Sequence, residues 1–254
     1  MIREQKQRIE TVNAPPSTGF RSQGLIAAGI LFTGGQIGAE MPEPGVFREP
    51  CTDMKEAVPV TLHHLEQVTL AAGCRKADVF EVSAFPKTPG NQEIIQAETE
   101  KYLGKKPLLF NYCQVFDTAA HSLIEMDWMT ITGAGPDAET AAGYIHPLGN
   151  GPSGQLIESG PFRIWNKLSG YGPDLGVASK ALLAEILEKL QAIGGDYENL
   201  LKLTVYLKEF DPYPLFNEAT RLAFAEIIPP TRSVLVAPEI TGEAQICVDL
   251  IALR

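Results

Sequence analysis

Residues 72–100, AGCRKADVFEVSAFPKTPGNQEIIQAETE, recur at a constant offset of 121 as residues 193–221, IGGDYENLLKLTVYLKEFDPYPLFNEATR. A chain that repeats itself over this length folds as two copies of one unit, so its architecture is half as large a problem as its length suggests. In each copy a helix stops at a glycine, Gly73 or Gly194, which can take the left-handed conformation that ends it. An alternating, β-branched strand follows, EVSAF or KLTVYL, and then a second helix. That helix is marked by Ile94, Ile95 and Tyr102 in one copy and by Leu215, Phe216, Leu222 and Phe224 in the other. One added residue shifts the offset to 122. LFNYCQVF then meets TRSVLVAP, and LIEMDWMTI meets QICVDLIAL. Upstream the match is looser: GFRSQG pairs with GPSGQL and ILFTGGQIG with IWNKLSGYG, and the first copy carries an added loop, AEMPEPGVFREP.

Each copy reads strand, strand, long helix, strand, helix, strand, strand, with the long helices near 52–72 and 174–192. Hairpins at both ends with helices between them predict an α+β unit, a mixed β-sheet with two helices on one face. The stretch GAGPDAETAAGYIHPLGNGPSG is rich in glycine, alanine and proline and reads as the link. The expected division is 1–140 for the first copy and 150–254 for the second.

Composition removes several classes of function. The chain has 254 residues, 44% apolar and 20% charged, and a net charge of −10. An acidic chain offers no basic track for a nucleic acid. The charged start MIREQKQRIE is unlike a signal peptide, and no apolar run is long enough to cross a membrane. Cys51, Cys74, Cys113 and Cys247 are scattered, without the spacing of a metal site, and read as reduced thiols of a cytoplasmic protein. His63 and His64 are adjacent on a helix and so point apart, and His121 falls in an exposed turn. Gly34 and Gly35 lead into no helix and lack the spacing of a phosphate cradle.

PPTRSVLVAP (229–238) followed by ICVDLIAL (246–253) resembles the C-terminal signature of the RidA/YjgF reactive-intermediate deaminase family. GPSGQL is similar to its GPYSQA segment, LFTGGQIG to its FTSGQ strand, and AIGGDYENLLKLTVYLKEF to its central helix-to-strand passage. The resemblance covers residues 15–132 and 151–254, in the right order twice. It implies two tandem chorismate-mutase-like domains, assembly as a homo-oligomer (a trimer of tandem chains around a β-barrel core), and sites in clefts between domains. It further implies hydrolysis of an imine or enamine of a small carboxylate to a keto acid and ammonia, with neither metal nor cofactor.

Carried over residue by residue, the family's set is split. Arg232 falls on the carboxylate-binding arginine, and Ser169 and Gly170 on the Ser-Gly pair, but the glutamate position of that copy holds Cys247. The first copy reverses this: Glu125 holds the glutamate position, Phe110 replaces the arginine, and Gly34-Gly35 replaces Ser-Gly. The family's tyrosine becomes Arg21 in one copy and Ser153 in the other. Each residue has a plainer reading beside the functional one: Arg232 as an interface ion-pair partner, Glu125 as a structural carboxylate, Cys247 as a small buried hydrophobe. As an acid–base or nucleophilic group Cys247 needs a nearby cation, for which Arg232 is the candidate. Two classes stay open: a cofactor-independent enzyme, hydrolysing an imine or enamine or carrying out a related hydrolytic or isomerising biosynthetic step on a small carboxylate, in which clefts between unlike copies pool their residues or Glu125 reaches across, and a non-catalytic carboxylate-binding or assembly protein.

Overall fold

The computed structural model describes residues 6–16, 19–43, 46 and 49–254. The first five residues of the charged start, and Pro44, Gly45, Phe47 and Arg48 of the added loop, lie outside them. The first copy runs β1 (Gln7–Ile9), β2 (Gly24–Ala27), β3 (Ile30–Thr33), β4 (Gln36–Ile37), α1 (Met54–Ala71), β5 (Val79–Pro86), α2 (Gln92–Leu103), β6 (Leu109–Tyr112), β7 (Asp117–Thr118) and β8 (Ile124–Ile131). After α3 (Ala138–Ile145) the second copy runs β9 (Leu156–Ser159), β10 (Phe162–Gly170), α4 (Leu175–Ala192), β11 (Leu200–Leu207), α5 (Tyr213–Ala223), β12 (Thr231–Val236), α6 (Pro238–Thr241) and β13 (Ile246–Leu253).

The long helices start where their first orphaned N–H groups find an acceptor. Asp53 caps α1 by accepting from the Lys55 N–H, and Asp174 caps α4 by accepting from the Val177 N–H. Beyond their ends Gly73 and Gly194 sit at φ 71° and 80°. The paired middle strands β5 and β6, and β11 and β12, are parallel because a helix crosses between them, while β8 and β13 return antiparallel. The order is β1-β2-β3-β8-β5-β6 in one sheet, with β4 also on β8, and β7-β12-β11-β13-β10-β9 in the other. On the helix side, Val82, Ala84, Met126 and Trp128 pack under α1 and α2, as Leu203, Val205, Val248 and Leu250 pack under α4 and α5.

The remaining faces of the two sheets pack on each other. Phe32 meets Phe162 edge to face at 5.7 Å, and Leu25, Phe80 and Met129 share a core with Ile164, Leu201 and Ile251. The link contributes to this core, which its composition hides: Asp137 caps α3 through the Thr140 N–H, and Ala141, Ala142 and Ile145 enter between the sheets. These faces are buried within one chain. β6 is an edge strand of half-buried residues, with Leu108 before it and Phe116 after it exposed. No helix among the described residues is long and apolar enough to cross a membrane.

The matching edge in the second copy, β12, is covered by the first copy. Ser22 bridges Thr231, the Gly35 N–H donates to the Arg232 carbonyl (3.1 Å), and β7 pairs with Leu235 and Val236. Among apolar side chains between the sheets lies one ionic group: Lys202 donates to Asp127 at 2.8 Å and to the Thr33 carbonyl, and Ser233 donates to the same Asp127 oxygen. Lys202 belongs to one copy and Asp127 to the other.

Candidate functional site

Arg232 lies on β12 opposite Leu203, so its side chain shares the helix face of the sheet, and only 1% of its surface is exposed. There α5 surrounds the guanidinium. Nη2 donates to the Tyr213 hydroxyl (2.8 Å) and to Asn217 Oδ1 (2.6 Å), and Nη1 donates to the Thr220 hydroxyl (3.3 Å). The Phe216 ring lies 5.0 Å away, face on to the cation. All three acceptors are neutral, and among the described residues Nε has no partner and no carboxylate is within ion-pair distance. Burial pulls the Arg232 pKa down to about 10, which still leaves the group charged at neutral pH. An uncompensated buried cation is costly, and an arriving anion removes that cost.

From the first copy, Glu125 reaches the other side of the same strand. On β8 it is opposite Phe85, facing the second sheet, and its Oε1 accepts from the Val234 N–H of β12 (3.1 Å). Oε2 accepts a longer bond from the Ala119 N–H (3.4 Å). Burial raises its pKa to about 7, against the opposing pull of the Arg21 charge and these N–H donors. Gly35 has no room for a side chain, since a Cβ there runs into the Glu125 carboxylate and comes 2.9 Å from the Ser233 hydroxyl. Arg21 closes the group, its Nη1 donating to the carbonyls of Arg232 (2.8 Å) and Gly35 (3.3 Å).

Two expected associations are not found. Cys247 lies on β13, with β11 between it and β12, and it pairs with Tyr206 where Arg232 pairs with Leu203. Leu203 and Tyr206 are an odd number of positions apart, so Arg232 and Cys247 point to opposite faces of the sheet. Arg232 therefore does not activate this thiol, whose pKa burial raises. Ser169 sits with Cys247 instead (Oγ to Sγ, 2.9 Å), one strand further from Arg232. Gly170 is explained by packing, since a Cβ there meets the Ala178 carbonyl at 2.7 Å. Of the predicted site residues, Arg232 and Glu125 come together with Gly34 and Gly35, while Ser169, Gly170 and Cys247 form a separate group.

Tyr213, Asn217 and Thr220 are the residues that sequence reasoning missed. Their spacing of four and three on one helix face is the signal that could have found them. Two of the leucines read as that helix's apolar mark, Leu215 and Leu222, are instead exposed. His64 is buried and His63 exposed, and His121 is exposed with its Nδ1 2.6 Å from Asp117.

Solved structures match about half of the chain at a time. A Yersinia pestis protein of the conserved Rid family is 24% identical, matching 50% of this chain and 100% of its own, with a TM-score of 0.46. The chain is similar to Rid-family proteins. A Thermotoga maritima protein described as a candidate endoribonuclease matches 51% of this chain and 100% of its own, at 21% identity and a TM-score of 0.47. Escherichia coli TdcF, solved with bound serine, is 19% identical over 50% of this chain and 99% of its own, with a TM-score of 0.45. No family model matches the chain. No curated protein matches it either. Each of these matches covers about half of this chain, whereas Arg232 and Glu125 come from different copies.

Proposed function

We propose that the cleft shared by the two copies binds a small carboxylate on Arg232 and hydrolyses its imine or enamine to a keto acid and ammonia. The observation that carries this reading is that Arg232, a buried cation held by neutral acceptors, and Glu125, a buried carboxyl poised near neutrality, stand on the two sides of one strand edge, close enough for the Glu125 charge to act on Arg232. The guanidinium supplies a planar fork for the substrate carboxylate. Ionised Glu125 takes a proton from water as its oxygen adds to the C=N carbon. The same carboxyl gives that proton to nitrogen, leaving a carbinolamine, then takes the carbinolamine's hydroxyl proton and passes it to nitrogen as the C–N bond breaks, so imine and water become keto acid and ammonia. A group that must be base and then acid works best with a pKa near the working pH.

Ammonia release from 2-iminopropionate generated in solution tests the activity. With Glu125 near 7, kcat/KM should rise with pH through an acid limb centred near neutrality, as the base form accumulates. That limb should vanish in Glu125→Gln; a limb that persists there belongs to another group. Binding is tested separately by calorimetry with pyruvate. Arg232→Ala and Arg232→Lys should each weaken it about 10- to 100-fold, the worth of a charge-assisted pair, with the fold intact by circular dichroism. Unchanged affinity removes Arg232 from the site. The second reading, a carboxylate-binding protein without catalysis, is favoured by the engagement of both Glu125 oxygens with backbone N–H groups. Tight pyruvate binding with no ammonia release above background selects it.

A further inference from the structure

Arg21 stands where the resemblance places a tyrosine, and its charge is not used up by its contacts. Nη1 bonds two carbonyls of the strand edge, Nε is buried without a partner, and Nη2 bonds no described residue. Nε and Nη2 form the side of a guanidinium that grips a carboxylate by two parallel bonds. No carboxylate is within ion-pair distance of Arg21 among the described residues, and Glu125 engages backbone N–H groups instead. Arg21 is also held close to Arg232, since its Nη1 donates to that residue's own carbonyl, and the two charges oppose each other. Arg21 and Arg232, one half-buried and one buried, repel each other, and both lie within reach of the charge of one carboxyl, Glu125, so two cations face a single acid there.

We propose that the cleft is built for a dicarboxylate, with the 2-imino (or 2-oxo) carboxylate on Arg232 and a second carboxylate, a short methylene chain away, on the free side of Arg21. This rests on the functional reading above and narrows its substrate class from small carboxylates to dicarboxylates. At Gly34 a Cβ would come 3.4 Å from the Arg21 Nη1 and 3.1 Å from the Ser22 carbonyl. Any side chain there would intrude on the guanidinium.

The probes are 2-oxoglutarate, oxaloacetate and pyruvate, measured by calorimetry on the whole protein and on three variants. The wild type should bind one of the two dicarboxylates at least about tenfold more tightly than pyruvate, the equivalent of one charge-assisted contact. Arg21→Gln keeps length and hydrogen bonding to the strand edge but removes the charge. It should erase that preference. Arg21→Lys keeps the charge without the fork and should recover part of the preference, which a purely structural role of Arg21 would not produce. Arg232→Ala should weaken all three ligands. Equal binding of pyruvate and both dicarboxylates by the wild type, or an unchanged preference in Arg21→Gln, overturns the dicarboxylate assignment and leaves the Arg232 reading standing. Undiminished binding of all three ligands by Arg232→Ala overturns both. A thermal melt of each variant identifies any that fails to fold, and then Arg21→Lys alone decides, by losing or keeping the preference.

Discussion

Glu125→Gln should lower kcat for imine hydrolysis by about 10²- to 10⁴-fold, the usual worth of a positioned acid–base group, while Cys247→Ala leaves it nearly unchanged. Glutamine is isosteric, and its carbonyl oxygen can still accept from the Val234 N–H, so the strand edge stays covered and the loss is chemical. The two variants distinguish a cleft pooled from both copies from one confined to the second. If the second copy worked alone, Cys247 would stand at its glutamate position and its removal would be felt. The structure gives that thiol a raised pKa, a serine hydroxyl as neighbour and a place on the other face of the sheet from Arg232. Ammonia release measured under saturating imine decides between them. A silent Glu125→Gln with a damaged Cys247→Ala reverses the assignment.

The largest effect on stability should come from Lys202. With Asp127 it forms an ion pair at 2.8 Å whose side chains are 2% and 0% exposed, and Glu81 lies close enough for burial and the Asp127 charge together to raise its pKa to about 7. Lys202→Ala strands the Asp127 charge between two sheets, and breaking a buried pair in this way costs about 3–5 kcal/mol. The pair itself is worth much less than its rupture, so Lys202→Met combined with Asp127→Asn should regain most of the loss. The deficit of Lys202→Ala should also shrink as pH falls through about 7, because protonated Glu81 then adds no second negative charge beside Asp127. For Glu81, with a folded pKa raised above the ordinary value of 4.5, stability is fully present below that value and is lost as pH rises through about 7. Urea denaturation at several pH values checks each of these. A deficit under about 1 kcal/mol at neutral pH means that water or a shift of the sheets accommodates Asp127.

The same ionic group shows what could be read from the sequence and what could not. Strands, long helices and the duplication were legible because alternation and stop glycines act locally: Gly73 and Gly194 do in the fold what their positions imply. Even the looser upstream match has a local cause, since β10 carries an irregularity between Trp165 and Leu168, with Lys167 at φ 52°, where the first copy has Gly34-Gly35 between two short strands. The helix in the link was missed because its alanines and glycines read as loop, although the Asp137–Thr140 cap was there to be seen. The grouping of the site was not legible. Aligning each copy with a family assigns Arg232, Ser169 and Cys247 to one unit, but residues of one sheet separated by intervening strands cannot meet, and the partner of β12 is the edge of the other copy. Which faces meet is a long-range fact, set here by Lys202 opposite Asp127 and by Glu125 reaching the Val234 N–H.

The claim that one site is assembled from both copies is tested most directly by a crystal structure of the protein with 2-oxoglutarate. The ligand should lie at the edge of β12, a carboxylate on the Arg232 guanidinium and its carbonyl carbon facing Glu125, with Tyr213 or Asn217 displaced from the fork. A ligand seated beside Ser169 and Cys247, with the α5 contacts of Arg232 undisturbed, would contradict it.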